Sequence, residues 1–126
     1  MPKVTGATTE APTISAPTGN PPADLVIEDI SLGTGVAAGA NSTLTVHYTL
    51  MAWSTGEIVE SSWVAQPATF GLNQVIQGWQ QGIPGMKEGG RRLLVIPPAL
   101  GYGEAGGGPI GPNETLIFVV DLIKVS

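Results

Sequence analysis

Eighteen glycines and eleven prolines are spread along this chain of 126 residues. Each glycine weakens a helix because it has more backbone freedom to lose, and each proline removes an N–H and clashes with the preceding turn. Residues that break helices at this density rule out a helical bundle. They leave short extended runs separated by turns, and hydrophobic residues at 42% are enough to give those runs one core. The length is that of a single domain with at most a tail.

The extended runs can be placed by their alternation. Leu25 to Ile30 reads as a strand, followed by a turn at Gly33-Thr34-Gly35. In Leu44 to Leu50, Leu44, Val46 and Tyr48 share one face, and Thr45, His47 and Thr49 share the other. Ser54-Thr55-Gly56-Glu57 is a turn, Ile58-Val59-Glu60 starts another extended piece, and Ala68-Thr69-Phe70 is a further short strand. Arg91 to Ile96 and Thr115 to Val125 are the clearest strands, the last rich in β-branched residues. One segment has helical spacing: Val75, Ile76, Trp79 and Ile83 fall at i, i+1, i+4 and i+8, ahead of Pro84-Gly85. The fold class expected is α+β, with a five- or six-stranded antiparallel sheet and one short helix covering a face of it. Residues 1–23, rich in Thr, Ala, Pro and Gly, read as a flexible arm ending at Pro21-Pro22, with an extended strap docked on the domain as the alternative. Residues 24–126 form the domain.

Several function classes drop out. A net charge of −5 argues against nucleic acid as a partner, since phosphate binding needs clustered Lys and Arg. The absence of cysteine excludes disulfides, thiolate metal sites and a cysteine nucleophile. With His47 as the one histidine, a multi-histidine metal site is excluded too. No G-x-S-x-G elbow accompanies His47, which reads as an exposed strand residue. Gly101 to Gly106 matches G-x-G-x-x-G, but Gly107-Gly108-Pro109 follows where a nucleotide site needs a helix, so the segment is a loop. Glu57 and Glu60 lie on opposite faces of an extended stretch and do not form a catalytic pair. No cofactor is implied. No apolar run is long enough to span a membrane. The missing apolar leader points to the cytoplasm, with a secreted or lipid-anchored protein whose signal has been removed as the alternative.

The informative feature is where the seven aromatic residues fall. Tyr48, Trp53, Trp63, Phe70, Trp79, Tyr102 and Phe118 include several on inward faces. They suit either a plain core or a concave apolar pocket with a few polar tips.

Five motifs in order then carry a resemblance: Val46-His47-Tyr48-Thr49; Val75-Ile76-x-Gly78-Trp79; Gly85-Met86-x-x-Gly89-Gly90; Ile96-Pro97-Pro98-x-Leu100-Gly101-Tyr102-Gly103; and Thr115-Leu116-x-Phe118. Over residues 24–126 the chain resembles the FKBP-type peptidyl-prolyl cis-trans isomerases, most closely the bacterial single-domain members. The resemblance implies a sheet wrapped around a short helix with a proline pocket between them. It implies catalytic roles for Tyr48, Glu60, Trp79 and Tyr102, with Trp79 as the pocket floor and the Tyr102 hydroxyl donating to a substrate carbonyl. It implies a substrate-binding wall of Val59, Phe70, Val75, Ile76, Ile110 and Phe118, with the Ile76 N–H binding a second carbonyl and Ile110 closing one side. The implied partners are proline-containing peptides and unfolded chains, with tacrolimus- or rapamycin-like macrolides as inhibitors. A binding module with little catalysis is the alternative.

The chain departs from the family at Val59-Glu60-Ser61-Ser62, where the pattern is Phe-Asp-Ser-Ser. A smaller wall at Val59 and a longer acid at Glu60 imply a wider pocket, with Trp63 as the residue that would refill it. The outward positions Leu93, Val95, Ile117, Val119 and Ile123 form an apolar face, read either as a self-association surface or as a face covered by the arm.

Overall fold

The computed structural model describes residues 2–126; Met1, the first residue of the arm, lies outside them. Among the described residues eight strands and one α-helix follow in order: β1 (Val4–Thr5), β2 (Thr13–Ile14), β3 (Val26–Ser31), β4 (Thr43–Ala52), β5 (Ile58–Ser61), β6 (Ala68–Gly71), α1 (Gln77–Gly82), β7 (Arg91–Ile96) and β8 (Leu116–Val125). Six of the strands form one antiparallel sheet in the order β3-β7-β8-β4-β5, with β6 also on β4. Strand β4 is long enough to pair along one edge with β8, and along the other with β6 near its start and β5 near its end. The expected sheet and helix are both present. Among the described residues no helix is long and apolar enough to cross a membrane.

The two central strands carry apolar residues on both faces. Leu94, Ile96, Leu116, Phe118 and Val120 point to the inner face and pack with Trp79 and Ile83 of the helical segment. The intervening Leu93, Val95, Ile117 and Val119 point to the outer face and join Met51 and Trp53 in a second cluster. This is the period-two geometry of a strand with both sides covered. The helix lies close against β7. A Cβ on Gly78 would stand 2.6 Å from Ile96 Cδ1, and one on Gly82 2.7 Å from Leu94 Cδ2. Only glycine at these two positions lets α1 approach the sheet so closely. Arg92 fixes the other end of the helix. Its guanidinium donates to the Gly82 carbonyl at 2.8 Å and pairs with Asp29 of β3 at 2.7 Å. Carbonyls at a helix C-terminus lack intrahelical partners, and a cation there also suits the helix dipole.

The arm follows the strap reading and not the flexible one. Residues 2–23 are not a free tail; β1 and β2 pair as a short hairpin, and Val4 and Ile14 pack on the outer cluster. The physical reason lies in the face itself: Leu93, Val95, Ile117 and Val119 are fully buried beneath the hairpin. The surface anticipated for self-association is therefore covered by the chain's own arm, and of its five residues only Ile123 stays exposed. A buried arginine anchors the arm. Arg91 has no exposed area, pairs with Asp121 at 2.7 Å and donates to the Glu10 carbonyl at 2.6 Å. Asp121 is held above the usual carboxylate range because burial outweighs the Arg91 hydrogen bond and charge.

His47 differs from its exposed reading. It sits opposite Asp121 on the outer face but is half-buried, not exposed. Its Nδ1 is 2.8 Å from Ser62 Oγ, and its ring stacks on Trp63 with centroids 3.9 Å apart. Trp63 is thereby drawn to the outer face and does not refill the pocket.

Candidate active site

Between the inner face of the sheet and α1 lies a cavity of about 280 Å³ lined by Tyr48, Leu50, Glu60, Phe70, Gln74, Val75, Ile76, Trp79, Tyr102 and Phe118. Eight of the ten residues named from the sequence are therefore brought together. Tyr48, with Leu50 two residues on, projects from the inner face of β4. Phe70 comes from β6, Phe118 from β8, and Trp79 from the middle of α1.

The Trp79 indole organises the aromatic wall. Phe118, Phe70 and Tyr48 stand nearly perpendicular to it, with centroids 5.3, 5.6 and 5.9 Å away. Edge-to-face pairs of this kind add about 0.5–1.5 kcal/mol each beyond burial, so the box is rigid. Trp79 is 4% exposed and its Nε1 has no acceptor among the described residues. The helical segment that carries it begins at a lip, Val75-Ile76, which is itself held: Gln80 Nε2 reaches back to the Val75 carbonyl at 2.7 Å. The Ile76 carbonyl accepts the first helical hydrogen bonds, from Trp79 and Gln80, while its N–H donates to no acceptor among the described residues.

The polar part of the site is small. The Tyr48 hydroxyl donates to Glu60 Oε1. Burial, then this hydrogen bond and the Glu60 charge, raise the phenol well above its ordinary range. Tyr48 therefore stays protonated at neutral pH and serves as a fixed donor that holds the carboxylate at the cavity wall. Tyr102 is the most exposed lining aromatic, at 40%. The arrangement can bind an apolar group in a rigid box, offer a few hydrogen-bond donors at the mouth and exclude water.

Two expected wall residues lie elsewhere. Val59 packs against the main core but does not line the cavity. The register between β4 and β5 slips between Leu50 and Met51, which makes Val59 the extra residue of a β-bulge, packed half-buried on the inner cluster. Ile110 is 6% exposed and belongs to the core cluster, in a tight turn where it exchanges two hydrogen bonds of 2.9 Å with Gly107. It braces the loop behind Tyr102 and does not close the cavity. Two lining residues were not anticipated. Leu50 continues the Leu44-Val46-Tyr48 alternation by one step, so its signal was available. Gln74 lies in a single 3-10 turn, Leu72–Gln74, where no periodic signal exists.

Residues 35–123 match the family model described as FKBP-type peptidyl-prolyl cis-trans isomerase. The chain is 54% identical over 121 residues to an FK506-binding protein of Streptomyces anulatus, covering 92% of this chain and 98% of that one. It is 49% identical over 116 residues to a probable FK506-binding protein of Corynebacterium glutamicum, covering 91% and 98%. Among solved structures it is similar to FkpA from Escherichia coli, with a TM-score of 0.76 and 38% identity over 81% of this chain and 48% of that one. It is also similar to AtFKBP13, with a TM-score of 0.74 and 33% identity over 81% and 93%.

Proposed function

The chain belongs to the FKBP-type peptidyl-prolyl cis-trans isomerase family, and from that premise we propose that its Trp79 cavity accelerates rotation about X–Pro bonds in peptides and unfolded chains. The observation that carries the reading is the box of three aromatic rings set edge-on around the Trp79 indole, with few polar groups inside.

Rotation is slow because the C–N bond has partial double-bond character, with a barrier of about 18–20 kcal/mol. Lowering it needs neither a nucleophile nor a proton transfer. It needs a site that binds the twisted amide better than either planar isomer, and each roughly 1.4 kcal/mol of that difference gives a tenfold rate gain. Water stabilises the polar planar amide, so an apolar box that takes the proline ring and strips water from its carbonyl favours the twisted form. At about 280 Å³ the cavity is near the small end of ligand pockets, about 300–1,000 Å³. That size suits one proline with parts of its neighbours.

In this reading Trp79 is the floor on which the proline ring sits. Phe70, Val75 and Phe118 are the side walls. The Ile76 N–H and the Tyr102 hydroxyl hold substrate carbonyls on either side of the rotating bond. Glu60, fixed by Tyr48, sets the polarity of one wall. Tacrolimus- or rapamycin-like macrolides would compete for the same box.

The test is the refolding of a protein whose slow phase is X–Pro isomerisation, which otherwise takes tens to hundreds of seconds. Wild type should shorten that phase. Trp79→Leu, which keeps apolar bulk but removes the ring, should lose most of the effect while keeping the native far-UV spectrum. Saturable peptide binding with no acceleration would replace the isomerase by a binding module.

A further inference from the structure

A second cleft, of about 400 Å³, shares no lining residue with the Trp79 cavity. It lies where the end of the arm meets the turn after β4, between Pro17, Gly19 and Pro21 on one side and Trp53, Ser54 and Glu114 on the other. Trp53 is 9% exposed, and its indole Nε1 donates to the Gly19 carbonyl at 3.2 Å. Indole is a donor only, so burying it requires an acceptor. Here the acceptor is a backbone carbonyl flanked by a proline two residues away on each side. Aromatic grooves that offer a donor are a recurrent way of reading proline-rich segments, whose extended backbone leaves its carbonyls without internal partners.

Two details show that the fit is specific. The turn beneath the arm carries Gly56 at φ +67°, and a Cβ there would stand 2.9 Å from Ala16 Cβ. The arm bends at Gly19, whose φ of +75° strains any residue with a Cβ. Glu114 completes the far wall, with its carboxylate accepting from the Ser54 N–H at 3.1 Å. We propose that this cleft is a binding site for proline-rich segments of the Pro-x-Gly-x-Pro type. The chain's own Pro17-Thr18-Gly19-Asn20-Pro21 forms one side of it in cis, held to Trp53 through the Gly19 carbonyl, and a like segment of another polypeptide takes that place against Trp53, Ser54 and Glu114 when the arm lifts.

The cis segment competes at an effective concentration on the order of mM. A trans peptide of intrinsic affinity near 100 μM is therefore weakened about tenfold in the intact chain. The experiment follows the three tryptophan indole N–H resonances of the ¹⁵N-labelled full chain while the peptide Ser-Ala-Pro-Thr-Gly-Asn-Pro-Pro-Ala is added. A release variant, Pro17→Ala/Gly19→Val/Pro21→Ala, loosens the arm's side of the cleft and leaves the Trp53, Ser54 and Glu114 side unchanged; the milder Pro17→Ala/Pro21→Ala pair serves if the triple variant does not keep the native spectrum. The release variant should bind the peptide about tenfold more tightly than wild type, with a saturable shift of the Trp53 indole. Adding Trp53→Phe, or changing the peptide's glycine to valine, should remove that binding. The proposal is overturned if the Trp53 resonance of the release variant stays still up to millimolar peptide, or if release leaves the affinity unchanged. It is also overturned if only the Trp79 resonance responds, a result that would assign the peptide to the isomerase cavity and leave that reading intact.

Discussion

Gly78→Ala tests how α1 is seated on the sheet, and through it how the floor of the cavity is positioned. The added Cβ would lie 2.6 Å from Ile96 Cδ1, 2.6 Å from Cγ2 and 2.8 Å from Cγ1. Carbon atoms pack best at about 3.5–4.0 Å, so helix and strand must part by roughly 1 Å. Ile96 cannot give way, because it is fully buried within the inner cluster. Two effects oppose each other. Alanine is favoured over glycine in a helix interior by about 1 kcal/mol, and by less near the start of a six-residue helix. Overpacking a close-packed core costs about 1–3 kcal/mol. Packing wins, and a net loss of about 1–2 kcal/mol is expected. With a urea slope of about 1–3 kcal/mol/M, the midpoint should fall by about 0.5–1 M. Trp79 follows directly in the chain and must move with the helix, so kcat/KM should fall at least about tenfold, misplacements of about 1 Å being costly in positioned sites. Ile96→Ala removes all three clashing atoms. In a double-mutant cycle it should cost at least about 1 kcal/mol less in the Gly78→Ala background than alone. A Gly78→Ala protein at least as stable as wild type, or an additive cycle, would refute the reasoning.

Three further outcomes are expected. Val59→Phe should extend a ring from the β5 bulge toward the cavity opening; covering some 40–50 Å² more apolar surface is worth about 1 kcal/mol, or about fivefold in peptide affinity by calorimetry, and unchanged affinity would show that the bulge points the side chain elsewhere. In Tyr102→Phe, Tyr48 is the one remaining tyrosine, so absorbance at 295 nm should show a single phenol titrating well above the ordinary value of about 10. Because the folded state favours the neutral phenol, this contribution to stability is intact below about pH 10 and is lost as pH climbs toward the folded value; Glu60→Gln should bring the titration down, and an ordinary titration in the parent variant would contradict the Tyr48–Glu60 bond. Ile14→Asp should lift the hairpin from the outer cluster, lowering stability by about 1 kcal/mol for a half-buried side chain and opening residues 1–23 to limited proteolysis while 24–126 resists, whereas an arm cut no faster than in wild type would mean that the hairpin is held by Arg91 alone.

What could be read from the residues followed from how each signal arises. Strands β4, β7 and β8 are long enough for alternation to mark both faces, and the five motifs contain six of the eight cavity residues, with Glu60 and Phe70 following from the same resemblance. The residues do not decide between tail and strap for the arm, because β1 and β2 are two residues each, too short for any periodicity, and because Thr, Pro and Gly look the same in both. Its docking was nonetheless implied from the other side: Leu93, Val95, Ile117 and Val119 on an outward face call for a cover. His47 and Trp63 went astray for a related reason. Alternation assigns a face to His47 but cannot show that Trp63, sixteen residues later, stacks on it. Val59 and Ile110 sit at a bulge and in a tight turn, local backbone features that motif order does not encode.

The most direct test reads turnover and location in one sample. An X–Pro peptide is mixed with the ¹⁵N-labelled protein, and the exchange between its cis and trans signals is measured alongside the Trp79 indole N–H resonance. The expected result is exchange far faster than the uncatalysed tens to hundreds of seconds, with the Trp79 resonance saturating over the same range of peptide concentration that saturates the rate. Slow exchange on a protein whose Trp79 signal has saturated, or fast exchange with that signal unmoved, would contradict catalysis in this cavity.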